Sequence, residues 1–211
     1  MSQGNPQITI AQDLKVSQYS ENKRQNLIQA SNHIQAIVIQ PGQIFSFWTL
    51  VGEPSARNGY LPGRTLVNGV LQAEMGGGLC QLSGILYYLA LQAGLKIIER
   101  YPHSVDIYTE ETRFTPLGSD ATVVYGYKDL RFQNCLSHPI YFEIEIWASQ
   151  FIGHLCAVET IQSFQIDFES QPSDTQIQVD TYQIHPETGQ RKHLDVSYYR
   201  KPTAAQTAVA V

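Results

Sequence analysis

Residues 75–83 read Met-Gly-Gly-Gly-Leu-Cys-Gln-Leu-Ser, three glycines followed almost at once by a cysteine and a run of apolar residues. Apolar positions after the cysteine recur three and four residues apart, which is the spacing of one face of an amphipathic helix. They are Leu82, Ile85, Leu86, Leu89, Ala90 and Ala93. Gly94 follows them as a helix stop. The stretch therefore predicts a glycine turn leading into a buried helix with Cys80 in its first turn.

A cysteine in the first turn of a helix is a candidate nucleophile. The positive end of the helix dipole and the free backbone N–H groups favour the thiolate, and the same N–H groups can hold an oxyanion. The alternative for Cys80 is a structural role, because free cysteines are among the most buried residues and most perform no chemistry.

Composition limits the class of protein. The chain has 211 residues, of which 43% are hydrophobic and 16% charged, as expected for one packed globular domain. A net charge of -5 gives no electrostatic reason to expect nucleic acid or an anionic membrane as partner.

The metal-binding and redox residue types show no spacing typical of a site. Cys80, Cys135 and Cys156 lack a CxxC pair, and a Cys135–Cys156 disulfide stays open. The histidines after residue 130 have no common spacing, and no Gly-Lys-Ser/Thr follows the glycines to make a phosphate loop. We therefore predict neither a metal nor a cofactor.

The amino-terminal residues 1–15 are polar and contain no apolar core of signal-peptide length. No stretch reaches the length needed to cross a bilayer. These observations predict no transmembrane segment and a cytoplasmic location for the chain as encoded. The alternative is that this chain lacks a leader that related chains carry.

Periodicity and turn residues predict the remaining elements. A helix begins at Ser20 and ends before Pro41-Gly42, and alternating residues over 176–199, with a turn at 186–189, predict a long hairpin. Further strands are expected at 43–48, 65–67, 70–71, 95–101, 121–127, 139–147, 151–159 and 164–168. The sequence thus predicts an α+β fold: two main helices packed on a mostly antiparallel β-sheet, with a C-terminal β-hairpin.

Cys80, His103 and an aspartate form an arrangement that resembles nucleophilic catalysis. The histidine would deprotonate the thiol, and the acid would fix the tautomer of the imidazole and stabilise its cation. Asp120, which begins the next predicted strand, is the first choice for the acid. Asp106 lies three residues beyond His103 and so on the opposite face of an extended segment, whereas Asp129 has the position of a turn residue.

Several motifs resemble the VanW family, which takes its name from a member encoded in a vancomycin-resistance gene cluster. They are Asn26, Pro41-Gly42, Phe45-Ser46-Phe47, Val51-Gly52, Gly59-Tyr60, residues 76–83, Glu99-Arg100, His103-Ser104, Asp120-Ala121-Thr122-Val123, Asp129-Leu130-Arg131-Phe132 and Asn134. The chain departs from the family pattern at Gly84, where members typically carry a hydroxyl residue. The resemblance covers roughly residues 20–145. With the strand pattern and composition of the rest, we divide the chain into an N-terminal extension at 1–18, a VanW-like domain at 19–160, a β extension at 161–200 packed on the same domain, and a disordered tail at 201–211.

The resemblance implies a link to the cell envelope or to glycopeptide resistance. With the predicted Cys80, His103 and Asp120 it suggests an acyl-transfer enzyme or amide hydrolase acting on a peptide or peptidoglycan-like ligand. The candidate substrate contacts are Gly77, Gly78, Gln81, Ser83, Arg100 and Ser104. Gln81 would donate to an oxyanion or else cap the glycine turn.

Two alternatives stay open at this point. One is a non-catalytic module that binds envelope polymers or a partner through the glycine turn and nearby aromatic residues. The other is a buried polar cluster of Cys80, His103 and Asp120 that joins helix to sheet.

Overall fold

Three α-helices and a short 3-10 helix are present in the part of the chain that the structure describes. This computed structural model describes residues 5–14, 17–67, 70–106 and 115–202, with the side chains of 65–67, 70 and 71 left out. The helices are α1 (Ser20–Gln35), α2 (Phe47–Val51) and α3 (Leu79–Gln92), and the 3-10 turn is Ala56–Asn58.

Eleven strands in this part of the chain form four antiparallel sheets. They are β1 (Asn5–Asp13), β2 (Ile44–Ser46), β3 (Pro62–Val67), β4 (Val70–Met75), β5 (Lys96–Glu99), β6 (Arg131–Gln133), β7 (Tyr141–Ile146), β8 (Gln150–Ala157), β9 (Gln165–Pro172), β10 (Gln176–Ile184) and β11 (Arg191–Arg200). Their orders are β1-β8-β7, β2-β6-β5, β3-β4 and β11-β10-β9.

Helix α3 is largely buried, because buried residues lie on almost every side of the helix. It contacts β1 and β8 of the first sheet, β5, and β9 of the C-terminal sheet, while α1 contacts β7 and α3 itself. Phe45, Phe132 and Phe142 extend the core beside it, the first two stacked with ring centroids 4.5 Å apart. Helix α3, which carries Cys80 in its first turn, is thus packed against elements from both ends of the chain.

The predicted α+β class is confirmed, and the fold is mostly β. Helices α1 and α3 and the β10–β11 hairpin lie where the sequence placed them. One sheet carrying both helices is not confirmed, since the described strands form four sheets. The four-part division of the chain stays a prediction, and residues 203–211 of its tail lie outside the described residues.

Three local predictions differ from the structure. Residues 43–48 form β2 and then turn into α2, whose first turn is capped by the Ser46 hydroxyl accepting from the Thr49 N–H at 3.2 Å. Residues 121–127 are not a strand but an extended segment and a turn closed by a single Val124–Lys128 bridge. Residues 5–13, for which the sequence predicted no element, are strand β1.

Candidate functional site

The glycine turn that precedes Cys80 is built by very close backbone contacts. A Cβ on Gly77 would lie 2.2 Å from the carbonyl carbon of Gly63 on β3, so only glycine fits there. Gly78 caps α3 in the left-handed conformation, with φ of 103°, which disfavours any residue with a Cβ. Together they place Cys80 at the second residue of the helix.

Asn26 on α1 fastens this turn from the other side. Its buried amide nitrogen donates to the carbonyls of Gly77 at 3.0 Å and Leu61 at 2.9 Å, while its oxygen accepts from the Leu61 N–H at 2.8 Å. An uncharged side chain therefore satisfies three backbone groups that would otherwise be buried without partners.

His103 and Asp120 are joined twice. Oxygen Oδ2 of Asp120 accepts from the backbone N–H of His103 at 2.7 Å and lies 2.6 Å from its ring nitrogen Nδ1. The two side chains are 25% and 22% exposed, so the pair lies at the edge of the protein interior rather than sealed within it. Because Asp120 engages Nδ1, Nε2 is the ring nitrogen left for another partner.

The side chain of Cys80 interacts with the side chain of His103. Its thiol is half-buried and lies 3.7 Å from the carbonyl oxygen of Val123, the residue three positions after Asp120. Burial alone would lower the pKa of His103, but hydrogen bonds with Asp120 and Cys80 and the charges of both groups raise it to about 10. The thiol of Cys80 therefore interacts with the imidazole of His103, and that imidazole interacts with the carboxylate of Asp120.

Arg100 holds the carboxylate from behind. Its guanidinium, only 2% exposed, donates from Nε to the backbone carbonyl of Asp120 at 2.7 Å, and from one terminal nitrogen to Asp120 Oδ1 at 3.0 Å and to Gly118 O at 2.9 Å. The other terminal nitrogen donates to Ser197 Oγ and, at 3.4 Å, to Asp195. Burial would raise the pKa of Asp120, but the charge of Arg100 and the hydrogen bond with His103 keep it well below its usual range.

The other two candidate acids are placed elsewhere. Asp129 accepts from the Ser46 hydroxyl at 2.6 Å and from the Trp48 N–H at 3.1 Å, so it fixes the start of α2. Asp106 is buried, and its N–H donates to the carbonyl of Arg200 on β11 at 3.2 Å. Asp120 is thus the acid next to His103, as the order along the sequence favoured.

The predicted substrate contacts have unequal exposure. Ser83 is buried and its hydroxyl donates to the carbonyl of Ala121 at 2.5 Å, which joins α3 to the segment after Asp120. The Gln81 amide nitrogen donates to the Gln12 side chain at 3.1 Å and to the Asp13 carbonyl at 3.2 Å, so it contacts β1. Ser104 is exposed beside His103. Contact of these residues with a substrate stays a prediction.

Residues of β11 near the site were missed by the sequence reasoning. Asp195, Ser197 and Tyr199 all contact Arg100, and the Tyr199 hydroxyl also donates to Asp120 Oδ1 at 2.5 Å. Their spacing of two residues puts them on one face of a strand, which was a readable signal. Nothing in the sequence indicated that Arg100, about 97 residues away, faces them.

A half-buried thiol at a helix start, linked to an imidazole and then to a carboxylate, has the composition of the thiol nucleophile, base and acid found in thiol enzymes. The chain belongs to the VanW family, whose model, described as "VanW like protein", matches residues 22–156.

Two curated relatives are similar to this chain. The Vancomycin B-type resistance protein VanW of Enterococcus faecalis is 39% identical over 116 residues, which cover 55% of this chain and 42% of the relative. The uncharacterized protein YoaR of Bacillus subtilis is 33% identical over 144 residues, which cover 68% of this chain and 46% of the relative. The matched region thus spans less than half of each relative, and no solved structure matches significantly.

No helix in the described ranges combines the length and the apolar character needed to span a bilayer.

Proposed function

We propose that this VanW-like protein is a thiol-dependent acyltransferase or amide hydrolase. The observation that carries the proposal is the succession from Cys80 through His103 to Asp120 at a partly exposed position. Purely structural polar clusters need no group at the surface, whereas a nucleophile must be reached by its substrate.

In the proposed reaction, the proton of the Cys80 thiol is held by His103, whose pKa is raised to about 10, and the sulfur attacks the carbonyl carbon of an amide. The backbone N–H of Cys80, in the first turn of α3, stabilises the negative oxygen that forms, since the N–H groups of Leu79 and Gln81 already donate to the carbonyls of Gly76 and Gly78. The C–N bond then breaks, the leaving amine receives the proton from His103, and a thioester remains on Cys80. Water or a second amine attacks this thioester, giving hydrolysis or acyl transfer respectively.

The proposed substrate is a peptide or peptidoglycan-like amide. A relative is named for vancomycin B-type resistance. The proposal extends this role to the present chain and takes the cell envelope as the place where its substrate lies. Exposed Ser104, next to His103, is the predicted contact best placed to meet such a substrate.

Alkylation of Cys80 tests the proposal. The protein is treated with iodoacetamide at several pH values in a Cys135→Ser background, because Cys135 is exposed and would also react, whereas Cys156 is buried. Mass spectrometry then follows the label on Cys80. We expect His103→Ala to slow labelling near neutral pH by about tenfold or more, since the proton acceptor is lost.

Equal labelling rates with and without the imidazole would contradict the proposal. The structural cluster would instead be favoured if Cys80→Ala loses much of its melting temperature and the parent protein is labelled no faster than His103→Ala.

A second candidate function is supported by one surface feature. The turn at 124–128, directly after the Val123 carbonyl that faces Cys80, exposes Tyr125 and Tyr127 by 50% and 75%. Exposed aromatic faces suit binding of a sugar polymer without catalysis.

Sedimentation with purified peptidoglycan separates this module from the enzyme. A binding module requires that Tyr127→Ala weaken co-sedimentation and that Cys80→Ser leave it unchanged. Trp147→Ala is the matched control, because Trp147 is similarly exposed but directly follows β7, away from the turn at 124–128 in the sequence. Equal binding by Tyr127→Ala and Trp147→Ala would remove this candidate.

A further inference from the structure

Strand β11 presents three polar side chains to the same guanidinium. Asp195, Ser197 and Tyr199 are two residues apart and lie on one face of the strand. Ser197 and Tyr199 are both about 1% exposed, whereas Tyr198, between them, is 53% exposed on the opposite face. The inward face of β11 therefore continues the polar cluster behind Asp120.

The same strand lies along the segment that carries His103. The N–H of Arg200 donates to the Ser104 carbonyl at 3.0 Å, and the Asp106 N–H donates to the Arg200 carbonyl at 3.2 Å. These bonds form a parallel bridge between Val105 and Arg200. Because β11 begins at Arg191, it lies wholly outside residues 22–156, which the family model matches.

We propose that Tyr199 is a positioning residue of the thiol site, and that its hydroxyl orients the Asp120 carboxylate so that His103 faces Cys80. The inference rests on the proposed thiol chemistry and adds that the C-terminal hairpin completes the site.

The two oxygens of Asp120 have separate partners. Oδ2 is engaged by the ring and the backbone N–H of His103, whereas Oδ1 accepts from the Tyr199 hydroxyl and from Arg100. Rotation of the carboxylate would break contacts on both sides at once. Tyr199 thus fixes the angle at which the carboxylate meets the imidazole.

The hydroxyl of Tyr199 has a defined direction. Burial raises the pKa of Tyr199 well above its usual range, so the group keeps its proton. One terminal nitrogen of Arg100 donates to the hydroxyl oxygen of Tyr199 at 3.2 Å, and the hydroxyl hydrogen of Tyr199 points to Asp120. Arg100 also lies over the Tyr87 ring, 4.8 Å from the centroid. Within the described ranges, the charged or titratable groups that interact with Asp120 or with its partners are Arg100, His103, Cys80, Asp195, Tyr87 and Tyr199.

The test compares Tyr199→Phe with Tyr198→Phe in the full chain, by NMR titration of the His103 imidazole. The six histidines are distinguished by the signal lost in His103→Asn. We expect Tyr199→Phe to lower the pKa of His103 by about one unit, a tenfold change in its protonation equilibrium, because the carboxylate is held less firmly. Tyr198→Phe removes a hydroxyl from the outer face of the strand and leaves that pKa unchanged.

Ser197→Ala is the milder second variant, should Tyr199→Phe fail to fold. It removes one acceptor of Arg100 and is expected to shift the pKa of His103 in the same direction by a smaller amount. If neither variant shifts that pKa more than Tyr198→Phe does, the positioning role is wrong.

Alkylation of Cys80 by iodoacetamide separates this result from the proposed function. A slower rate in Tyr199→Phe, with Tyr198→Phe at the parental rate, supports positioning of a working thiol site. If His103→Ala leaves the rate unchanged, the thiol chemistry fails. A shift of the His103 pKa in Tyr199→Phe would even then support the positioning of the imidazole by β11.

Discussion

Two loops of this protein each deliver one side chain to the site, and they are held by opposite means. The glycine loop, residues 76–78, presents Cys80 and is fixed by close backbone packing against Gly63 and by the neutral amide of Asn26. The acid loop, residues 118–120, presents Asp120 and is fixed by the buried guanidinium of Arg100.

The difference separates shape from charge. The contacts that hold Gly77, with the Gly63 backbone and the Asn26 amide, involve no titratable group, so they persist at any pH at which the protein is folded. The acid loop depends on ionised partners that have been moved out of water, and such partners stabilise only while all of them keep their charge. The sulfur is therefore placed by steric fit, and the groups that would act on its proton are placed by electrostatics.

The largest expected effect comes from removing the charge of the acid loop. Asp120→Asn leaves the buried Arg100 without its main counter-charge, and we expect the free energy of unfolding to fall by roughly 3–5 kcal/mol. Urea denaturation at pH 7 measures this. Asp195→Asn is the control, because Asp195 contacts the same guanidinium but is 47% exposed, and its loss should cost less than about 1 kcal/mol. Similar losses in the two variants would mean that burial of the pair does not matter.

A somewhat smaller effect is expected in the glycine loop. Gly77→Ala forces a Cβ into the backbone of Gly63, which cannot move aside as a flexible side chain could, and should destabilise the protein by about 3 kcal/mol. Gly84→Ala in α3 meets only ordinary contacts of 3.7 Å or more and should be neutral or stabilising by up to about 1 kcal/mol. Melting temperatures of the two variants show whether steric fit governs this loop; a neutral Gly77→Ala would show that it does not.

The smallest expected effect is the pH dependence of the acid loop. His103 has a pKa raised to about 10, so its protonated form stabilises the folded state fully below its ordinary value near 6.5. This contribution is lost as the pH rises toward 10, and we expect the free energy of unfolding to drop by about 2–2.5 kcal/mol between pH 7 and pH 9. In acid the pH dependence has the opposite direction. Because the pKa of Asp120 is lowered in the folded state, the stability that it contributes is lost as the pH falls below about 4.

Urea denaturation at pH 7 and pH 9 checks this dependence. His103→Ala should flatten the alkaline slope, whereas Asn26→Ala, which weakens the glycine loop without touching a titratable group, should lower stability equally at both pH values. An unchanged slope in His103→Ala would assign the dependence to other groups.

The local elements of the site were readable from the sequence where neighbouring residues decide them. Helix α3 follows from apolar periodicity and from the glycines before it, both of which act within a few residues. Asp120 was favoured by its position in the order of elements, and it does meet His103. The predicted strand at 121–127 was wrong, because strand formation needs a partner and this segment has only a single bridge.

Long-range pairing explains what was missed. Strand β1 pairs with β8, about 140 to 150 residues later, and its short Ile8-Thr9-Ile10 run does not show which strand it meets. The contact of Tyr199 with Arg100 likewise joins residues 99 positions apart. Alternation along β11 shows which residues share a face, but it does not show what that face meets.

By itself the sequence determined the helix that carries Cys80, the glycine turn before it and the membership of the VanW family. Each of these depends on adjacent residues in a fixed order. The tertiary structure decided that Asp120, which the sequence had favoured, does meet His103, that Arg100 is buried behind it, and that β11 closes the cluster. Those facts depend on desolvation and on charges brought together from distant segments, and neither exists until the chain has folded.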